Sequence, residues 1–179
     1  MSFRSVFCTA LLAVMFILYT DARAQEPVKP RTSPLEMVTF PWEDTYIKIT
    51  YSQPHKEGRN IFGELVPYGK IWRTGANEAT EITTTRDIKL AGHEVPAGTY
   101  SIFTIPQKDK WTVILNKSLG LWGAFNYNEK NDLLRFDVPT HQLDTTYEPF
   151  TIKFDQYKND VVLKMMWDRT GIEMPVEFE

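Results

Sequence analysis

The sequence predicts an all-β protein, an antiparallel β-sandwich of about eight or nine strands with two long loops. Three observations carry this expectation. Aromatic and β-branched residues recur with a period of two in several segments, no window holds a sustained 3.6-residue apolar stripe, and the gaps between strand segments are too short for crossover helices. Period two sends alternate side chains to opposite faces of a sheet, and short gaps admit only antiparallel neighbours. The segments are also shorter than the lipid-facing bands of a membrane barrel require.

Thr45 to Ser52 places Ile47, Ile49 and Tyr51 on one side and Tyr46, Lys48 and Thr50 on the other, the pattern of a half-buried strand. Thr99 to Ile105 and Trp111 to Asn116 are dense in aromatic and β-branched residues, and the short polar stretch Pro106 to Lys110 suits a hairpin between them. Leu134, Phe136 and Val138 alternate with Arg135 and Asp137. Phe150, Ile152 and Phe154 alternate, Asn159-Asp160 turns the chain, and Val161, Leu163, Met165 and Trp167 alternate again, a second hairpin. After Gly171, Ile172, Met174, Val176 and Phe178 share a face, while Pro175 lies on the other. Proline gives no N–H to a ladder, so this terminal strand is expected at an edge or with a bulge at Pro175.

The N-terminus reads as an address. Arg4 precedes an apolar run from Val6 to Tyr19 that only Thr9 interrupts, and Ala22-Arg23-Ala24 supplies small residues where a signal peptidase cuts. Residues 1–24 are therefore expected to be a signal peptide, since the run falls short of the roughly 20 apolar residues a membrane helix needs. The expected location is periplasmic or secreted, with no membrane span in the mature chain. Residues 25–34 hold three prolines and no hydrophobic pattern, a flexible leader, and residues 35–179 form a single domain. The one cysteine, Cys8, falls in the signal segment, so thiol catalysis, disulfides and cysteine-type zinc sites are excluded from the mature chain.

Lys plus Arg number 20 and Asp plus Glu 23, a net charge of -3 that disfavours a nucleic-acid partner. With 42% apolar and 13% aromatic residues, the chain has the means to bury a core.

The two long connections run from Gln53 to Thr80 and from Lys117 to Asp132. Loops of that length cover a core face or build a site. The first carries Tyr68 and Trp72 with Arg59, Lys70, Arg73, Glu57, Glu64, Asn77 and Glu78; the second carries Trp122, Phe125 and Tyr127 with Asn126 and Asn128. Aromatic faces beside amides, carboxylates and guanidinium groups suit a sugar or another small polar ligand.

YSQPHKEGRNIFGELVPYGKIWRTGANEAT (51–80), VPAGTYSIFTIP (95–106), WTVILNKSLGLWGAF (111–125) and WDRTGIEMPVEF (167–178) also carry a resemblance. Over roughly Thr45 to Phe178 the chain resembles the exported bacterial family called domain of unknown function 2911. Gln53 and Asp168 depart from the family pattern, which has Arg and Glu there. The resemblance implies a small β-rich exported domain and no particular activity or cofactor.

Tyr68, Trp72, Arg73, Asn77, Glu78, Trp122 and Asn126 are the ligand-binding candidates. Arg73 is suited to a two-point contact with a carboxylate, phosphate or diol, and Trp72 to stacking. The bland alternative pairs Arg73 with Glu78 inside the protein and makes Trp72 a core plug. Trp122 and Phe125 suit either an aromatic platform or a cover over the core. Asn126, Asn128, Glu129, Asn131 and Asp132 offer oxygens, yet they lack the calcium-loop spacing and read as a polar turn. His55, His93 and His141 are far apart and read as surface histidines, and no metal or other cofactor is implied.

The sequence thus points to an exported, non-catalytic protein that binds a small polar ligand such as a glycan, or a cell-envelope protein. One alternative is an envelope carbohydrate-directed hydrolase with Glu64 or Glu78 as acid or base and Arg73 fixing the substrate. No G-x-S-x-G elbow, Walker loop, H-E-x-x-H or dinucleotide fingerprint supports an enzyme. A purely structural module is the third reading.

Overall fold

Nine strands, all paired antiparallel, make up the computed structural model, which describes residues 29–178. They are β1 (Leu35–Trp42), β2 (Thr45–Ser52), β3 (Ala76–Thr84), β4 (Ile88–Leu90), β5 (His93–Val95), β6 (Gly98–Pro106), β7 (Lys110–Asn116), β8 (Asp132–Tyr157) and β9 (Asp160–Phe178). The order across the sheet is β1-β2-β3-β6-β7-β8-β9-β4-β5. The expected signal peptide lies outside the described residues, and among those described no helix is long and apolar enough to cross a membrane.

Where alternation is strong, strands form as expected. In β2, Ile47, Ile49 and Tyr51 are buried while Tyr46 faces solvent. The hairpin β6–β7 pairs Ile102 with Leu115 and Thr104 with Val113. The sheet folds over, so that Ile47, Ile49 and Ile82 from one half share a core with Leu163, Met165, Ile172 and Met174 from the other. At the outer margin, Phe40 of β1 packs on Phe154 of β8, and Trp42 stacks on Phe178 of β9 with centroids 5.0 Å apart.

Strands β8 and β9 differ from expectation in an informative way. Each is one long strand rather than two short ones, and their ladder is broken between Gln142 and Thr151, where only Tyr147 finds a partner, Asp168. Asp168 has φ +53°, and across it the buried positions of β9 change parity, from Val161, Leu163, Met165 and Trp167 to Ile172, Met174 and Val176. The register slips on both sides of the Tyr147–Asp168 pair, and this bulged stretch shifts the phase, as extra residues do in a period-two element. The change of phase is what made the terminal segment look like a separate strand. That segment is not an edge: β9 lies between β8 and β4, and β1 and β5 are the outer strands. Pro175 withholds no donor that β4 needs, because it enters the pairing through its carbonyl, which accepts from the Ala91 N–H at 2.8 Å.

The first long loop is shorter than its sequence suggested. Ala76–Thr84 is strand β3, so Asn77 and Glu78 sit on a strand and the connection is 53–75. Its first residues, Pro54 to Lys56, lie in the gap of the β8–β9 ladder. The Lys56 N–H donates to the Glu148 carbonyl and the Phe150 N–H to the Pro54 carbonyl, which gives the bulged stretch of β8 the backbone partners that β9 does not supply.

Candidate functional site

Where the 53–75 loop meets β3 and the β8–β9 bulge, the surface opens into a pocket of about 310 Å³. Its floor is aromatic. The Trp72 backbone exchanges two hydrogen bonds with Thr104 of β6, at 2.7 and 2.9 Å, and these turn the side chain inward. There it stacks on Trp167 (centroids 5.8 Å, 17°) and meets Phe150 edge-on at 5.0 Å. Both indole N–H groups are held by carbonyls, Trp72 by Gly75 and Trp167 by Glu148, so ring carbon is what remains of the indoles for the pocket. Trp72 is only 7% exposed and belongs to the core as much as to the pocket.

The next turn is built tightly. Thr74 adopts φ +55° and is fully buried, its hydroxyl donating to the Thr104 hydroxyl at 3.1 Å, while its carbonyl accepts from the Thr80 hydroxyl at 2.6 Å. A Cβ on Gly75 would stand 3.0 Å from the Ser52 carbonyl oxygen, a tighter contact than side chains ordinarily make, so glycine suits the close approach of the loop to β2. The turn carries Arg73 and Asn77 to the rim, where both line the pocket.

Arg73 does not pair with Glu78. Its Nε is buried without a hydrogen-bond partner, and it makes no ion pair among the described residues. Burial lowers its pKa from the usual arginine value. Glu78 turns toward Arg31, which donates to its two oxygens at 2.8 and 2.9 Å, and it accepts from the Ser52 hydroxyl at 3.0 Å. Burial acts to raise the Glu78 pKa, but hydrogen bonds from its own backbone, Arg31 and Ser52 outweigh it and leave the carboxyl below the ordinary range. A general acid at neutral pH requires the opposite shift.

The other walls come from residues the sequence did not single out for binding. His55, Glu57 and Arg59 stand on the loop, Thr32 and Ser33 on the segment before β1, and Trp167 on β9. His55 is half exposed, and its Nδ1 is 3.3 Å from a Glu148 oxygen. The Glu148 carboxylate caps the loop. It accepts from the backbone N–H groups of Glu57 at 2.7 Å and Lys56 at 3.2 Å, and these with His55 hold its pKa below the usual value. Lys56 in turn pairs with Asp168 at 2.6 Å, at the bulge. Part of the expected leader is also fixed: the Gln53 N–H donates to the Pro34 carbonyl at 2.8 Å, and Asn77 donates to the Ser33 carbonyl at 3.4 Å.

The remaining candidates are elsewhere. Tyr68 lies against Gly63, where an added Cβ would be 2.8 Å from the ring. Glu64 is exposed and accepts from the Asn60 amide. Trp122 and Asn126 belong to the second loop, which contributes nothing to the pocket lining. That loop is tied to β3 by the Ala79 N–H to the Leu121 carbonyl and the Gly123 N–H to the Asn77 carbonyl. Its Leu121, Ala124 and Tyr127 cover a small second core of Ala79, Phe103 and Ile114. Phe103 and Ile114 alternate in sequence with the main-core residues Ile102, Val113 and Leu115, so the second loop lies on the opposite face of the sheet. Trp122 and Phe125 stay 58% and 87% exposed there. Asn128 caps the 3-10 turn Glu129–Asn131, and the Asp132 oxygens accept from Asn116, Tyr127 and Arg135. His93 stacks on Phe136, and His141 faces Glu173 at 3.6 Å.

A family model described as protein of unknown function, DUF2911, matches residues 33–176. The chain belongs to the DUF2911 family. No curated protein and no solved structure matches it. The match includes the whole 53–75 loop, β3 and the β8–β9 bulge, so every element of the pocket except Thr32 falls within the DUF2911 region.

Proposed function

We propose that this DUF2911 protein is a non-catalytic binder of a small polar ligand, such as a glycan unit, held in the pocket between the 53–75 loop, β3 and the β8–β9 bulge. The carrying observation is the lining itself: Arg73, Asn77 and His55 around a floor backed by the nearly buried indoles of Trp72 and Trp167, which are 7% and 1% exposed. A sugar ring offers C–H groups to such a floor and hydroxyls to such a rim. A volume of about 310 Å³ is at the small end for ligand pockets and suits one ring rather than a chain. Export through the N-terminal segment is part of this proposal, and it puts the protein in contact with envelope sugars and peptides.

Differential scanning of the protein with monosaccharides and short envelope peptides tests the binding, because a ligand selective for the native state raises Tm by mass action. A rise with at least one compound is expected, and none across the set overturns the reading. N-terminal sequencing of the protein recovered from outside the inner membrane tests export, with Gln25 expected as the first residue.

A further inference from the structure

We infer that the ligand of this pocket carries an oxyanion group, a carboxylate or a phosphate, and that Arg73 is its anchor. The inference rests on the binding proposal above and narrows its chemical class.

The charges of the lining single out Arg73. Four of the lining side chains are ionisable: His55, Glu57, Arg59 and Arg73. Arg59 reaches Glu57 at 3.7 Å and donates to the carbonyls of His55 and Lys56. His55 has Glu148. Of the three basic groups, Arg73 alone has neither a carboxylate nor a carbonyl partner among the described residues. The nearest acid in sequence, Glu78, is held away by Arg31 and Ser52. A partly desolvated guanidinium with no counter-ion is costly, and a protein that keeps one on the wall of a hollow has an electrostatic deficit that an incoming anion fills.

Geometry says which atoms meet the ligand. Nε is sealed from solvent, so the terminal Nη groups are the ones left to contact it. Guanidinium binds carboxylate or phosphate oxygens through paired N–H donors, which a single hydroxyl does not match. The ligand then sits with its anionic group on Arg73 and a C–H face over the indoles, as an acidic sugar or a short organic acid would.

The test compares matched pairs: glucose with glucuronate, N-acetylglucosamine with N-acetylmuramate, and inorganic phosphate alone, each titrated calorimetrically into the full protein and into Arg73→Met and Arg73→Lys. The expected result is that the acidic member of a pair binds the wild type at least about tenfold more tightly than the neutral one, the scale of one charge-assisted hydrogen bond. Arg73→Met removes that preference, and Arg73→Lys keeps only part of it. Phosphate binding without acidic-sugar binding assigns the site to phosphate ligands, and the reverse assigns it to carboxylates. Neutral sugars binding as well as acidic ones overturns the anion inference and leaves the binding proposal standing, whereas no binding by any member overturns both. Should Arg73→Met fail to fold, wild-type salt dependence decides: raising the ionic strength weakens an acidic ligand held by Arg73 and leaves a neutral one unchanged, and equal insensitivity of both overturns the inference.

Discussion

Arg31 and Glu78, 47 positions apart, meet through two hydrogen bonds of 2.8 and 2.9 Å. The contact fastens the segment that contributes Thr32 and Ser33 to the pocket wall onto strand β3. Both side chains are substantially exposed, at 51% and 37%, so the pair is worth about 0.2–1 kcal/mol rather than the value of a buried bridge. Its importance is positional.

The first prediction concerns pH. Because the folded state lowers the Glu78 pKa, its contribution is present above the ordinary glutamate range and is lost as pH falls through the depressed value. Acidification should free the segment around Arg31 before the sheet unfolds. Protection of the Gln53 amide, whose N–H donates to the Pro34 carbonyl, measured at neutral and acid pH checks this, and Glu78→Gln should show the fast exchange already at neutral pH.

A second prediction follows from Gly75. The Ser52 carbonyl oxygen and the Thr80 hydroxyl would lie 3.0 and 3.2 Å from a new Cβ, and the first is backbone with little room to move. Gly75→Ala should cost about 1–3 kcal/mol, the usual penalty for overpacking a fixed site. A urea titration reads this as a lower midpoint with an unchanged slope.

Trp72 presents a sharper contrast with Arg73. Trp72→Ala removes a ring packed against Trp167, Phe150 and Trp111 and should cost about 3–5 kcal/mol. Arg73→Met removes a desolvated charge while keeping its aliphatic stem, and should leave Tm unchanged or raise it. Thermal melts of the two variants side by side separate a core residue from a residue retained for another purpose.

On the opposite face, Tyr127 donates to Asp132, and burial together with that carboxylate pushes its phenol up to about 12. A raised folded pKa means that the tyrosine stabilises the fold fully below its unfolded value near 10 and loses that contribution as pH climbs toward about 12. Ultraviolet titration should show a late tyrosinate transition that Tyr127→Phe abolishes, with the variant less sensitive to alkaline unfolding.

How much of this was visible in the chain depended on local pattern. Strands β2, β6 and β7 and the β8–β9 hairpin were legible because apolar residues alternate through them. Strand β3, ANEATEITT, was half hidden because it begins with polar residues on both faces, and β4 and β5 are three residues each, too short for any period. Arg73, Trp72 and Asn77 were legible as site candidates by type. His55 was not, because what gives it a place in the pocket is Glu148, which the β8 bulge brings to it from far along the chain. The separation of the two loops onto opposite faces was equally hidden, since loop composition carries no record of sheet parity.

The parallel indoles of Trp72 and Trp167 serve the interior and the hollow at once. Anything that settles in the hollow beside them changes the polarity around two emitters already built into the scaffold, so occupancy should register as a shift in intrinsic fluorescence. Libraries of unmodified compounds are then open to screening by light alone.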